Sequence, residues 1–265
     1  MKHRDLGPLG AKHRPGCLSA HEYSYIEGNP CSHRWHAARR ARADTRIQYI
    51  NANAVAKQHW YRTKAQTKKL EGWVKQGKAA NVVARGGKLR FTLASFTTEW
   101  WPWMNQAHHI IPSSTFNHVL EQIASKAEPR HAQAEDVIRH GLLEEPYNIN
   151  DEPNVMMLPV LDADAVAMGL PRHMLGTGRG TADHPDYREA VRRELIKRVE
   201  PRYRALIQAI KRKKHPRRPK APVLRAVLEA LSIETYEEIL GKTAARREAG
   251  ATDLCLDSIA FLLYR

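Results

Sequence analysis

Two adjacent histidines, His108 and His109, sit at the end of a short strand candidate and are followed by Ile-Ile-Pro. Downstream come Asn148, Asn150 and Asn154, then His173, then His184 at the threshold of a long basic segment. A neutral imidazole can hold a divalent cation or, with a pKa near the operating pH, take a proton from water. An asparagine can bond backbone groups and so hold a neighbouring loop in place. Hydrolysis of a phosphodiester asks for this combination: a base for the attacking water and a cation for charge on the phosphate and the leaving oxygen. A His pair alone carries little weight in a chain with 14 histidines, where packing or surface roles are common. The ordered set carries more than any one member.

Those residues need elements to position them. Ala107–Ile111 reads as a short strand stopped by Pro112, and successive strand side chains point to opposite faces. A second strand lies in NVMMLP, residues 154–159. Between the two, helices are expected at about 114–127, capped by Ser114 or Thr115, and at about 132–141. The loop LGTGRG leads to Thr181 or Asp183 as a helix cap and Pro185 at the first helical position. The apolar stripe Tyr187, Val191, Leu195, Val199, Tyr203, Leu206 and Ile210 then marks the clearest helix in the chain, with His184 at its start as a ligand from the helix that closes the site. Further helices are expected at about 221–232, 234–247 and 252–263. Upstream, residues 1–43 read as a loosely ordered lead-in, 44–76 as helical, and 81–94 as a hairpin turning at Gly86-Gly87.

Charge is distributed unevenly around this centre. Residues 1–106 hold 19 Lys+Arg against 6 Asp+Glu, and residues 191–222 hold 13 against 2, whereas 107–190 hold 6 against 13. The whole chain carries +15, and basic flanks of this density suit a polyanion whose counterions they displace, though a solvated surface would look the same. A hydrophobic fraction of 42% fits a chain with a real core. No apolar run reaches the ~18 residues of a membrane span. The first residues lack the apolar stretch of a cleaved secretion signal. Three cysteines make no disulfide framework, and Cys17, Cys31, His33 and His36 do not match a standard zinc spacing.

AHHIIP, then NVMMLP, then HPDYREAVRREL resembles the AHH nucleases, bacterial toxin domains of the HNH (ββα-metal) superfamily, over roughly residues 105–200. The resemblance implies that His108 is a metal ligand, His109 the general base, Asn154 the orienting asparagine and His184 a metal ligand from the helix. Members usually carry another histidine a few residues before the last one. Here that stretch is Gly178-Arg179-Gly180-Thr181, so the ligand is His173 across a longer loop, or is replaced by Asp183 or water.

The expected fold is therefore α+β and mostly helical, a small ββα-metal core with helical insertions and flanking helical segments. Residues 1–100 would be a basic delivery, adaptor or nucleic-acid-binding region, 101–215 the nuclease domain, and 216–265 a helical C-terminal segment. The expected activity is a metal-dependent endonuclease, acting on DNA with RNA as the alternative substrate, using one divalent ion (Mg²⁺, Mn²⁺, Zn²⁺ or Ni²⁺). Arg179, Arg188, Arg192 and Arg193 would contact the nucleic-acid backbone. The resemblance further implies an antibacterial effector made in the bacterial cytoplasm, passed by a secretion apparatus or adaptor (type VI or similar) into a target cell, and neutralised in its producer by an immunity protein. A nucleic-acid-binding protein with a degenerate site, or a basic structural protein whose histidines hold zinc for stability, would share much of this sequence. Tyr187 reads as core with a hydroxyl in reach of a phosphate, Trp100–Trp103 as core or interface rather than a stacking platform, and KRKKHPRRPK as a phosphate-binding patch or solvated linker.

Overall fold

The computed structural model describes residues 16–20, 22–44, 49–51, 64–76, 83–84, 88–91, 93–173, 184–212 and 221–265. The fold is α+β and mostly helical. Its centre is a two-stranded antiparallel sheet of β4 (Asn105–His109) and β5 (Val155–Pro159), with His108 opposite Met156 and His109 opposite Val155. β5 is buried along its whole length, which its unbroken apolar run VMMLP requires. A second small sheet joins β1 (Tyr49–Asn51), β2 (Val83–Ala84) and β3 (Lys88–Arg90) in the order β1-β3-β2, all antiparallel.

The hairpin read at 81–94 is present as β2 pairing with β3. The helix read over 44–76 is not continuous: Tyr49–Asn51 pairs with β3, and the helix is α2, Lys64–Lys75. The lead-in needs a larger correction. His33–Ala43 forms α1, capped by the Ser32 hydroxyl accepting from Trp35 N–H, and it packs across both β4 and β5. Ala37, Ala38 and Ala41 are fully buried there. Small side chains every three or four residues let the helix backbone approach the sheet closely, a spacing that a count of large apolar residues overlooks.

Between the central strands run α3 (Ser113–Ser125) and α4 (His131–Glu144), which pack on one another. After β5 comes the short α5 (Asp162–Met168), absent from the sequence expectations. It ends at Gly169, whose φ of +63° lets the chain reverse, and where a Cβ would sit 2.8 Å from the Arg247 guanidinium. The return brings His173 N–H to the carbonyl of Pro159 at 2.8 Å, so His173 stands at the end of β5.

The long helix α6 (Pro185–Lys211) buries Tyr187, Val191, Leu195, Val199, Tyr203, Leu206 and Ile210, the stripe read from sequence. It packs against α3. The C-terminal segment is one long helix α7 (Arg225–Glu248) and the short α8 (Leu256–Ala260), rather than the three helices expected. Among the described residues one hydrophobic core runs from Leu18 to Leu263. No helix among the described residues is long and apolar enough to cross a membrane.

Candidate metal centre and hydrolytic cleft

The end of β4 and the segment after it are held by an unusual density of polar contacts. Asn154, at the start of β5, accepts from Ile111 N–H through Oδ1 at 2.7 Å and donates through Nδ2 to the carbonyls of Ile111 and Ile149 at 3.2 and 2.8 Å. Its own carbonyl accepts from Ile110 N–H at 2.8 Å, and the Ser232 hydroxyl of α7 donates to Oδ1 at 3.0 Å. The amide thus continues the β4–β5 ladder past its last regular pair and fixes the backbone leaving His109. Its neighbour Asn150 plays a different part. Nδ2 donates to Ser19 O at 3.0 Å, which turns Oδ1 toward Nε2 of His109, also at 3.0 Å. Asn148 fixes Asn150 in turn, accepting from its backbone N–H at 3.0 Å and donating to Pro30 O at 2.6 Å.

Adjacent strand positions send His108 and His109 to different surroundings, as strand geometry demands. His108 meets His173 and His184. Nδ1 of His108 and Nε2 of His173 face each other at 3.1 Å, and the rings of His108 and His173 lie 5.7 and 5.1 Å from that of His184. One ligand atom from each of the three lies within 4.8 Å of the others, and all three side chains are buried. Nitrogens at 2.0–2.1 Å from a tetrahedral cation are separated by about 3.3 Å, so the closest pair already has the right spacing. Burial and mutual proximity push His108 well below its ordinary pKa and His173 to about 3, which keeps both neutral with lone pairs available. Nε2 of His108 and Nδ1 of His173, the ring nitrogens outside the facing pair, are buried without a hydrogen-bond partner among the described residues. The residues therefore fit a divalent ion.

His184 reaches the cluster as the residue preceding α6, where its side chain makes no cap bond. Asp257 takes the capping role instead, accepting from Tyr187 N–H at 3.0 Å. Tyr187 is fully buried and donates from its hydroxyl to Ile110 O at 2.5 Å. That contact ties the helix carrying His184 to the segment that follows His109, and it removes the hydroxyl from any phosphate.

A cleft of about 370 Å³ joins the two histidine environments. Its walls include His108, His109, His173 and His184, the first residues of α3, Arg188, and from the N-terminal segment Tyr23, His33 and Arg34. His33 is a member that sequence reasoning assigned elsewhere. Its Nδ1 donates to Glu22 O at 2.9 Å, and its ring lies 4.7 Å from that of His109. Burial and the neighbouring His109 lower it to about 3, and burial lowers His109 to about 4 against the opposing Asn150 bond. Of the Cys17, Cys31, His33 and His36 set, His36 turns to Asp151 at 3.3 Å, and among the described residues the only grouping of metal-binding type is His108, His173 and His184.

The expected arginines divide. Arg188 lines the cleft. Arg192 is gripped by Glu189 through two bonds of 2.7 and 2.8 Å, and Arg193 is exposed on α6 outside the cleft lining. Arg179, Thr181 and Asp183 lie outside the described residues, as does most of KRKKHPRRPK. Trp101 and Trp103 are buried, Trp103 against Phe91 and Phe96, so they are core and not a stacking platform.

No model of a protein family, no curated protein and no solved structure matches this chain.

Proposed function

We propose that the chain is a metal-dependent phosphodiesterase of the ββα-metal type, an endonuclease with DNA as its first candidate substrate. The observation that carries the reading is the convergence of His108, His173 and His184 into one metal-binding cluster beside a separately held imidazole, His109, in the same cleft. Strands β4 and β5 with helix α6 supply the ββα element, and the His173 ligand arrives from the loop after α5. That placement accounts for the histidine missing from Gly178–Thr181 and weakens the case for a degenerate site.

His109 is the base. Because Asn150 fixes its Oδ1 toward Nε2, that nitrogen carries the hydrogen and Nδ1 holds the lone pair. At neutral pH the ring is unprotonated and takes a proton from the attacking water; a phosphate beside it favours the protonated product. A divalent ion held by the three imidazoles would offset charge on the phosphate and the leaving oxygen. Asn154 acts at one remove, through the backbone it holds. The ligand set of three imidazoles, with no carboxylate in the cluster among the described residues, favours Zn²⁺ or Ni²⁺ over Mg²⁺, which prefers oxygen.

The role as a secreted antibacterial effector with an immunity partner rests on the motif resemblance alone. Plasmid nicking by the wild type and by His109→Ala, each with added metals or chelator, tests the activity. Cutting by the wild type that chelator stops and His109→Ala lacks supports the reading. An intact plasmid under every metal removes DNA as substrate and leaves RNA for the same assay.

A further inference from the structure

Arg34, on the first turn of α1, is 5% exposed, yet among the described residues no carboxylate lies within ion-pairing distance of it. Nη2 donates to Asn105 Oδ1, while Nε finds no acceptor among the described residues. A buried cation normally recovers its lost hydration from an opposite charge. Arg34 has one neutral amide instead, and burial lowers its guanidinium to about 10 with Glu99 only partly opposing.

The side chain lines the same cleft as the histidine cluster. The N-terminal end of α3 lines the same cleft and adds partial positive charge to it. The first intrahelical bond there is Phe116 N–H to Pro112 O at 2.9 Å, so the N–H groups of Ser113, Ser114 and Thr115 have no intrahelical acceptor, and Pro112 offers no side-chain cap. Ser113 and Ser114 line the cleft together with Arg188. Against these stands one acidic residue among the described lining residues, Glu99.

We infer that Arg34 and the start of α3 form an oxyanion subsite that receives a phosphate group of the substrate. The planar guanidinium fork suits phosphate oxygens, and the helix N-terminus suits their charge. The identity of the anion rests on the phosphodiesterase reading; the existence of the subsite does not. It also gives the N-terminal segment a direct part in the cleft, because α1 delivers Arg34 alongside His33.

The test is calorimetric titration of the full chain with inorganic phosphate in the presence of chelator, using wild type, Arg34→Gln and the control Arg193→Gln. Saturable binding to wild type and control, weakened at least about tenfold in Arg34→Gln, is the expected result. Equal binding by all three, or no binding to wild type at millimolar phosphate, overturns the inference. Arg34 also bonds Asn105, so a variant that fails to fold is replaced by diffraction from wild-type crystals soaked in phosphate. Density against the Arg34 guanidinium supports the subsite, and density absent there or found only on surface lysines, an adventitious ion only, overturns it. Phosphate binding that persists in a protein unable to nick plasmid or RNA would sink the nuclease reading and leave the subsite standing.

Discussion

Oδ1 of Asn150 lies 3.0 Å from Nε2 of His109, and the same amide donates to Ser19 O at 3.0 Å, so the tautomer of the histidine is set by a loop some forty residues downstream. Asn150→Ala removes that control without touching the metal cluster. Turnover is expected to fall by about ten- to a hundredfold through misorientation, in line with the loss of an orienting partner. Metal affinity should be unchanged by calorimetry. A variant that loses metal and activity together would show that Asn150 supports the fold and not the base.

Asn154 differs, because its amide completes buried backbone groups. Asn154→Ala leaves Ile111 N–H and the carbonyls of Ile111 and Ile149 without their partner. Three buried groups so stranded, at about 1–3 kcal/mol each, put the loss of stability at about 3 kcal/mol or more. Denaturant unfolding measures it. A cost near zero would mean that water or a shifted Ser232 replaces the amide.

The contrast between these asparagines shows what was legible in the sequence. The strand end at His108-His109 and the Pro-initiated helix after His184 were legible locally, but their grouping into one set rested on the order of the motifs and not on any one of them. Asn154 was a candidate by its position in the motif. Asn150 was visible only as one of three asparagines; its choice depends on Ser19 lying beside it, a contact across 131 positions. His33 and Arg34 were missed because α1 meets the sheet through alanines, and its amphipathic signal is weak. His173 was a candidate among several because α5 and the Gly169 reversal, which return the chain to Pro159, leave little pattern in so short a helix. The two small sheets follow from β-rich runs, but Tyr49–Asn51 was absorbed into a helical periodicity that its pairing with β3 overrides.

The three-histidine cluster predicts stabilisation by metal. Thermal melts of chelator-treated protein should rise with added Ni²⁺ or Zn²⁺ more than with Mn²⁺, and least with Mg²⁺, following ligand preference. Binding at a hundredfold excess over Kd is worth about 2.7 kcal/mol. Replacing His108, His173 or His184 by Gln should abolish the rise, while His109→Gln should keep it and still be inactive. A rise retained by all three ligand variants would place the metal elsewhere.

Buried neutral histidines also fix the acid side of the stability curve. His33 falls to about 3 and His109 to about 4 when folded, both below the unfolded value of 6.5. Below pH 6.5 the unfolded chain therefore binds protons that the folded chain refuses, so stability is full above that pH and is lost as pH falls toward these folded values. Each group contributes a slope of up to about 1.4 kcal/mol per pH unit in that window. Melting temperature should drop between pH 7 and 5 in metal-free protein, and His33→Gln should flatten the drop. A flat profile in the wild type would show that these rings accept protons in the folded state.

The last prediction concerns the N-terminal segment, which by its position in the chain reads as a delivery or adaptor region. α1 covers both central strands, and Arg40 stacks on Tyr236 at 3.5 Å while donating to the carbonyls of Glu152, Pro153 and Val155 at 3.0–3.2 Å. Asp44 accepts from the Tyr236 hydroxyl at 2.5 Å, so α1 is bonded to both ends of the site's framework. Deleting residues 1–44 exposes β5 and strips these contacts from the loop before it, and the truncated chain should be insoluble or lack a cooperative melt. Deleting residues 1–15 leaves every one of those contacts in place and should preserve both. A soluble, cooperatively melting and active chain lacking 1–44 would instead show that neither fold nor cleft needs α1, and with it would fall the assignment of Arg34 to the cleft.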